Sequence, residues 1–163
     1  MKILVMGLPG SGKTTLVNAL APLLNAVVFN NDDVRKHINR DLGFSLADRI
    51  EQATRMGWLC DQVVKAGHFA IADFICPTEA TRAAFKPQFT VFMDTVLSSR
   101  FPDTDKIFER PEANLVLMRW ESPRKMAEQV VICLRSSAVE RLHGKQEVVG
   151  SFPTAGSTLC TTS

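Results

Sequence analysis

A glycine-rich stretch near the start of the chain, residues 7–14, reads Gly-Leu-Pro-Gly-Ser-Gly-Lys-Thr. It matches the pattern G-x-x-x-x-G-K-[ST], in which glycines let the backbone curl so that consecutive N–H groups point inward at an anion. The residues before it, Lys2 to Met6, are typical of a buried strand. Those after it, Thr15 to Leu20, are typical of a helix, whose amino end favours phosphate. This order of strand, loop and helix predicts a site for a nucleoside triphosphate.

The loop and its surroundings predict ATP and Mg²⁺ as cofactors. We expect Lys13 to reach the β- and γ-phosphates as a catalytic residue, and the Thr14 hydroxyl to bind Mg²⁺. Asp73 ends a later apolar strand, where many enzymes with this loop carry a Mg²⁺-organising aspartate, so it is a further candidate metal ligand. The residues assigned to ATP are Gly7, Pro9, Gly10, Ser11, Gly12, Lys13, Thr14 and Thr15.

The composition is that of an ordinary globular domain. The 163 residues are 45% hydrophobic and 22% charged, with a formal net charge of +2, and this balance gives no reason to expect nucleic acid or membrane as a partner. No stretch reaches the ~18 apolar residues of a membrane span, and we expect a cytoplasmic protein. The four cysteines and three histidines are scattered, which favours reduced, mostly buried thiols over disulfides or a zinc site.

Strand and helix signals alternate along the chain, which predicts an α/β fold with a parallel sheet and helices on both faces. The predicted strands are Lys2–Met6, Ala26–Phe29, Phe69–Ala72, Phe89–Met93 and Leu115–Met118.

Three further helices are predicted after the first, which we expect to kink at Pro22 or to end near Ala21. The clearest covers residues 46–66, where Leu46, Ile50, Ala53, Gly57, Cys60 and Val64 would share a face and Met56 and Trp58 would pack. Ser45 and Asp48 resemble a capping box at its start, and Gly67 is a plausible stop. The others are a short helix ending at Ala84 and one starting at Pro123.

Two segments show neither the 3.6-residue period of a helix nor the two-residue period of a strand. Residues 98–111 form a polar, irregular stretch that we expect to be a lid over the phosphates. Residues 136–163 are rich in Ser, Thr and Gly, so we predict a single domain over 1–135 followed by a disordered tail.

The second predicted strand is followed by a candidate catalytic segment, Asn30-Asn31-Asp32-Asp33-Val34-Arg35. Because the carboxyl ends of parallel strands face the same crevice, this segment would lie across from the phosphate loop. On a helix, Asp32 and Arg35 would project to the same side. Asp32 could orient or deprotonate an attacking hydroxyl, while Arg35 neutralises an anionic acceptor. The alternative is a helix amino terminus with carboxylates that serve only its dipole.

A second motif, residues 40–49, reads Arg-Asp-Leu-Gly-Phe-Ser-Leu-Ala-Asp-Arg. It resembles the Asp-Leu-Gly-Phe-Ser-x-x-Asp-Arg signature of adenylylsulfate kinases. Those enzymes transfer the γ-phosphoryl of ATP to the 3′-hydroxyl of adenosine 5′-phosphosulfate. The resemblance extends from residue 1 to about residue 120. It includes Phe74-Ile75-Cys76-Pro77, similar to the family's Phe-Ile-Ser-Pro, and Phe108-Glu109-Arg110-Pro111, similar to its Tyr-Glu-x-Pro.

The resemblance implies a fold and a set of site residues. The fold would be the three-layer sandwich of P-loop kinases, with a five-stranded parallel sheet in the order 2-3-1-4-5. Phe44 would stack on the acceptor adenine, Arg35 and Arg49 would grip the phosphosulfate, and Asp32 would also lie at the metal. The other implied substrate-binding residues are Gln52, Phe74, Ile75 and Lys106.

The chain departs from the family pattern at three places. The family's Asp-Gly-Asp-Asn reads Asn30-Asn31-Asp32-Asp33, so the first carboxylate is missing. Family asparagine positions become Ile50 and Gln52. The lid is shorter, and Lys106 and Arg100 are the candidates for its lysine.

Other functions remain open from the sequence. The stretch Asp32-Asp33-Val34-Arg35 also resembles phage polynucleotide 5′-hydroxyl kinases, although the chain offers no basic track for a strand. A kinase for a polyol or sugar acid would not need two arginines and a stacking ring. A non-catalytic nucleotide-binding module would not need Asp32. The expected partner is a small anionic nucleotide, and a homodimer is possible.

Overall fold

The chain forms a twisted parallel sheet whose strands alternate with helices. The structure is a computed structural model that describes residues 1–143 and 160–161. The strands are β1 (Lys2–Met6), β2 (Val27–Asn30), β3 (Ala70–Asp73), β4 (Phe89–Met93), β5 (Leu115–Leu117) and β6 (Cys160–Thr161). The helices are α1 (Lys13–Leu24), α2 (Asn31–His37), α3 (Leu46–Lys65), α4 (Glu79–Phe85), α5 (Pro102–Ile107) and α6 (Pro123–His143).

The strand order is β2-β3-β1-β4-β5-β6, and every neighbouring pair is parallel. The first five strands confirm the predicted order. Strand β6 was not predicted; its two residues pair Cys160 with Leu115 and Thr161 with Val116. Since neighbouring strands run in the same direction, their carboxyl ends gather at one edge of the sheet.

Each face of the sheet carries its own hydrophobic core. Ile3 and Val5 of β1 belong to the core formed with α1 and α6. Leu4 and Met6, on the opposite face, belong to the core beneath α3 and α4. This alternation follows from the two-residue period of a strand, and it explains why β1 is apolar on both sides.

Helix α3 begins with the predicted capping box. The Ser45 hydroxyl accepts from the Asp48 amide, and the Asp48 carboxylate accepts from the Ser45 amide. The predicted stop is confirmed at Gly67, whose φ is 88°. Two residues of the helix are more exposed than a packed apolar face would suggest. Leu46 is 55% exposed because it lies in the first turn beside an open cavity, and Trp58 is 62% exposed on the outer face of the helix.

The strand bounds differ from the predictions by at most one residue at each end, and some of the helices differ more. Helix α1 continues past Pro22 to Leu24, where the amides of Asn25 and Ala26 satisfy its last carbonyls. The segment predicted to be irregular contains α5, which starts with Pro102 in its first turn.

Helix α6 runs through the predicted boundary at residue 136 to His143. The remaining residues of the predicted tail, 144–159 and 162–163, lie outside the described residues. Within the part of the chain that the structure describes, no helix is long and apolar enough to cross a membrane.

Candidate active site

The phosphate loop connects the end of β1 to α1. Gly7 has a φ of 149°, and an added Cβ there would lie 2.5 Å from the carbonyl oxygen of Met93, so the loop requires glycine. The Ser11 amide donates to the Leu8 carbonyl (3.2 Å) within the loop. The Thr95 hydroxyl donates to the Ser11 carbonyl (2.8 Å). The loop is therefore tied to the segment that follows β4.

Lys13 lies between the loop and two carboxylates. Its Nζ donates to the Leu8 carbonyl at 3.0 Å. Burial lowers the pKa of Lys13 from the ordinary lysine value, and the nearby carboxylates of Asp73 and Asp32 partly offset this effect. Lys13 is thus held at the loop, in the electrostatic neighbourhood of both predicted acidic residues.

Asp73 ends β3 and is bonded to two neighbouring side chains. Its Oδ2 accepts from the Thr14 hydroxyl at 2.6 Å and from Nδ2 of Asn30 at 3.0 Å. Asp73 is only 3% exposed, so these bonds stabilise a carboxylate that has little contact with solvent. The structure therefore brings the predicted metal ligands Thr14 and Asp73 into contact at the start of α1.

Asp32 lies in the first turn of α2. The helix is capped by Asn30, whose side-chain oxygen accepts from the amides of Asp32 (2.9 Å) and Asp33 (3.3 Å). The Asp32 carboxylate accepts from Nδ2 of Asn31 at 3.1 Å and is otherwise turned toward solvent. Asn30 therefore replaces a carboxylate yet still shapes the catalytic segment, because it caps α2 and also donates to Asp73.

The predicted acceptor-binding residues meet at a cavity of about 80 Å³ between α2, α3 and the loop after β3. Its lining residues are Asn31, Asp32, Arg35, Phe44, Arg49, Gln52, Phe74, Ile75, Cys76, Pro77 and Thr81. The sequence assigned seven of these to the reaction or to substrate, and they come from four separate segments of the chain.

Two arginines flank the exposed ring of Phe44. The guanidinium carbons of Arg35 and Arg49 lie 4.8 and 5.8 Å from the ring centroid. Arg35 Nη1 donates to the Gly43 carbonyl at 2.7 Å, and Arg49 Nε donates to the Phe44 carbonyl at 3.0 Å. Burial, and then the proximity of Arg49, lower the pKa of Arg35. Two neighbouring cations beside an open aromatic ring are suited to an anionic aromatic ligand.

Gln52 has a structural environment. It is 1% exposed, its side-chain oxygen accepts from Asn39 Nδ2 (2.8 Å), and its Nε2 donates to the Asn31 side chain (3.1 Å). Gln52 therefore links α3 to the segment that carries Asp32. These two hydrogen bonds also fix its side chain in the wall of the cavity.

Cys76 occupies the position of the family's serine. It lies in the cavity wall with a φ of 48°, and its Sγ is 3.5 Å from the Thr81 hydroxyl. Burial raises the pKa of its thiol to about 12, so the thiol is protonated at neutral pH. Cys60 and Cys133 are also buried, in agreement with the sequence prediction.

Lys106 lies outside this cavity, on the lid. It lines an adjoining cavity of about 520 Å³ together with Phe44 and Arg49, and its ammonium is 3.8 Å from Asp103. The two ends of the lid are held in place by Arg110, which pairs with Asp94 at 2.7 Å. The predicted lid is thus a short segment, tied at its base, whose outer helix faces Phe44.

Comparisons with known proteins agree with this geometry. Residues 1–116 match the family model described as Adenylylsulphate kinase. The chain is 31% identical to the adenylyl-sulfate kinase of Synechococcus sp. over 68% of this chain and 68% of that protein. The chain belongs to the adenylylsulfate kinase family.

Other relatives extend the comparison. The bifunctional enzyme NodQ of Azospirillum brasilense is 36% identical over 56% of this chain, which spans 16% of that protein. The solved adenylylsulfate kinase of Mycobacterium tuberculosis, in complex with AMPPNP and APS, has a TM-score of 0.75 and 26% identity. That match covers 82% of this chain and 96% of the solved one. Membership of the adenylylsulfate kinase family confirms the expected class of enzyme, a phosphotransferase with a hydroxyl acceptor.

Two features of this adenylylsulfate kinase family member were missed by the sequence analysis. Trp120 lies against Gly12, although 107 residues separate them along the chain. Arg82 donates to the carbonyls of Pro77 (3.3 Å) and Glu109 (3.2 Å). It thereby joins the lid to the loop after β3, residues 74–78, which we call the acceptor loop. An arginine in a short helix gives no local signal of such a role. The position of Trp120 at the ligand edge could have been inferred, because it follows β5, but its contact with Gly12 gives no local signal in the sequence.

Proposed function

We propose that this chain phosphorylates the 3′-hydroxyl of adenosine 5′-phosphosulfate with ATP, using the residues gathered at the cavity between α2 and α3. The convergence of Asp32, Arg35, Phe44 and Arg49 on one cavity, with Asp32 also near enough to Lys13 to affect its pKa, is the observation that carries this proposal. It supports an acceptor that is both aromatic and anionic, as adenosine 5′-phosphosulfate is.

The reaction is a direct in-line displacement. The acceptor oxygen forms a bond to the γ-phosphorus as the bond from that phosphorus to the β,γ-bridging oxygen breaks, and ADP leaves. Asp32 accepts the proton of the attacking hydroxyl, which its exposed carboxylate can reach. Lys13 stabilises the charge that develops on the transferred group.

The acceptor is held by charge and by stacking. Arg35 and Arg49 pair with its phosphosulfate oxygens, and Phe44 carries its adenine. Phe74 and Ile75 complete the wall of the cavity, while Lys106 approaches from the lid. Closure of the lid excludes water, which would otherwise compete for the γ-phosphoryl.

The residues beside Lys13 fit Mg²⁺. Thr14 and Asp73 offer a hydroxyl and a carboxylate oxygen 2.6 Å apart, and Mg²⁺ prefers such hard oxygen ligands. Thr14 and Asp73 would hold the ion, with Asp32 nearby. When bound, Mg²⁺ neutralises charge on the β- and γ-phosphates.

A product analysis tests the acceptor. The protein is incubated with ATP, Mg²⁺ and, separately, adenosine 5′-phosphosulfate, a 5′-hydroxyl oligonucleotide or gluconate, and products are identified by mass. We expect a 3′-phosphorylated product from the first acceptor alone. Turnover of another acceptor, without that product, would replace this proposal by one of the other kinases.

Substitution of Asp32 tests the mechanism. Asp32→Asn should lower kcat by at least about 100-fold, the low end of the range for a general base, and leave the Kd for ATP within twofold. Glu128→Gln is the control, since it also removes one carboxylate but lies on α6 in an exposed pair with Arg124. Loss of ATP binding in Asp32→Asn would show that Asp32 helps to bind ATP and does not act on the acceptor hydroxyl.

A further inference from the structure

The indole of Trp120 lies directly on the phosphate loop. A Cβ added to Gly12 would come within 2.8 and 2.9 Å of Cε3 and Cη2 of this ring, so the ring rests on the Gly12 backbone. Gly12 has a φ of 90° and is the residue immediately before Lys13. Even so, Trp120 remains 49% exposed, which leaves much of the ring open to solvent.

Trp120 and the acceptor cavity lie on opposite sides of the loop. In the order β2-β3-β1-β4-β5, the acceptor residues follow β2 and β3, the phosphate loop follows β1, and Trp120 follows β5. In an in-line displacement, the leaving group points away from the attacking oxygen. The leaving phosphate would thus point away from the acceptor cavity, and β5, which Trp120 follows, lies on that side of the sheet.

We propose that Trp120 is the surface on which the base of the donor nucleoside triphosphate stacks. This inference rests on the proposed function only for the direction of the donor. A partly exposed indole beside the phosphate loop offers a flat π-face, which any base can use. Trp120 would thus bind the base, while the loop and Lys13 bind the phosphates.

The chain offers a direct optical test, because it contains two tryptophans, Trp58 and Trp120, and no tyrosine. In a Trp58→Phe protein, the tryptophan emission comes from Trp120 alone. We expect ATP to quench this emission in the absence of any acceptor, and inorganic triphosphate to quench it far less. Equal changes with both ligands, or no change with either, would overturn base stacking on Trp120.

Affinity gives a second readout. Trp120→Ala should raise the Kd for ATP about tenfold, within the range for loss of one stacked base, and leave the Kd for inorganic triphosphate within twofold. Trp120→Phe keeps an aromatic face and should stay within threefold of the unmodified protein. Trp58→Ala is the matched control, because Trp58 is 62% exposed on α3, and it should change neither constant.

These measurements separate three outcomes. If Trp120→Ala weakens ATP and inorganic triphosphate equally, Trp120 supports the loop and the inference is wrong. If Trp120→Ala leaves the affinity for both ligands unchanged, the base of ATP lies elsewhere and the inference is also wrong. Since all these measurements omit the acceptor, they can fail while phosphorylation of adenosine 5′-phosphosulfate still occurs, and they can succeed if another acceptor is used.

Discussion

At the scale of single residues, Asn30 stands where the family pattern has a carboxylate, and its side chain makes two kinds of hydrogen bond. Its side-chain oxygen caps α2, and its Nδ2 donates to the buried carboxylate of Asp73 at 3.0 Å. An aspartate could provide the cap but not the donor. Asn30 therefore reduces the negative charge beside Thr14 and makes Asp73 the main acidic group there.

Restoration of the carboxylate should make stability depend on Mg²⁺. In Asn30→Asp, two carboxylates would face each other in a site with little solvent, and we expect a loss of about 2 kcal/mol in EDTA that Mg²⁺ largely reverses. Thermal unfolding with and without Mg²⁺ measures this. Asn30→Ser is the control, since it keeps a capping oxygen without adding charge. Equal responses of both variants to Mg²⁺ would contradict the prediction.

The lowered pKa of Lys13 predicts the pH dependence of donor use. The cationic form binds phosphate, and in the free enzyme it loses its proton at a lower pH than the ordinary lysine value of 10.5. The value of kcat/KM for ATP should therefore decline on the alkaline side before pH 10.5 is reached. Measurements from pH 7 to pH 10.5 at constant ionic strength test this, and a flat profile over that range would contradict it.

At the scale of elements, the lid and the acceptor loop are joined through one side chain of α4. Arg82 is 14% exposed, donates to the carbonyls of Pro77 and Glu109, and lies 3.7 Å from the Glu109 carboxylate. The Glu109 amide also donates to the Pro77 carbonyl at 2.8 Å. Movement at the base of the lid therefore affects the loop that carries Phe74 and Ile75.

Removal of this link should separate ATP hydrolysis from transfer. We expect Arg82→Ala to lower kcat for transfer about tenfold and to raise the fraction of ATP hydrolysed without acceptor, because the lid would close less accurately. Arg124→Ala is the matched control, since its exposed pair with Glu128 is worth at most about 0.5 kcal/mol. Equal losses of transfer and hydrolysis in Arg82→Ala would indicate a purely structural role.

The elements that the sequence predicted well are those with local signals. Strand β4 and the cap of α3 were predicted correctly, because apolar runs and the Ser45–Asp48 pair act within a few residues. Helix α5 was missed, since its six residues are too few to show a period. It is also supported from outside, because its Asp105 accepts from the Ser99 hydroxyl, and such a contact leaves no pattern within the helix.

Those site residues could be predicted that come directly after a strand or belong to a recognisable motif. Asp32, Arg35 and Phe44 lie at one cavity, as expected from their motifs and from the carboxyl ends of the strands. The contact of Trp120 with Gly12 could not be predicted, because it depends on how the chain after β5 returns across the sheet. Such contacts depend on tertiary packing, which no local pattern records.

At the scale of the whole molecule, α6 belongs to the domain although the family match ends at residue 116. Met126, Ala127 and Val130 are fully buried in the core with α1. By contrast, β6, a strand of two residues at the edge of the sheet, pairs with Leu115 and Val116 of β5. We therefore propose that the functional domain ends with α6.

Two truncations test this boundary. A chain that ends after residue 143 should fold and keep kcat within twofold, because the core with α1 and α6 stays intact. A chain that ends after residue 121 loses α6 with its buried Met126 and Val130, each worth about 1.5–3 kcal/mol, and should not fold. Circular dichroism and the transfer assay measure both. Loss of folding in the longer chain would place essential contacts beyond α6.

The two cores on opposite faces of the sheet have a consequence for how this enzyme can evolve. Helix α1, which follows the phosphate loop, rests on one core, whereas Val34 of α2, Ala53 of α3 and Phe74 beside the acceptor cavity rest on the other. Substitutions on the second face can accumulate without disturbing the first. A change of acceptor would therefore require repacking beneath α3, while the core that supports the helix after the phosphate loop could stay as it is.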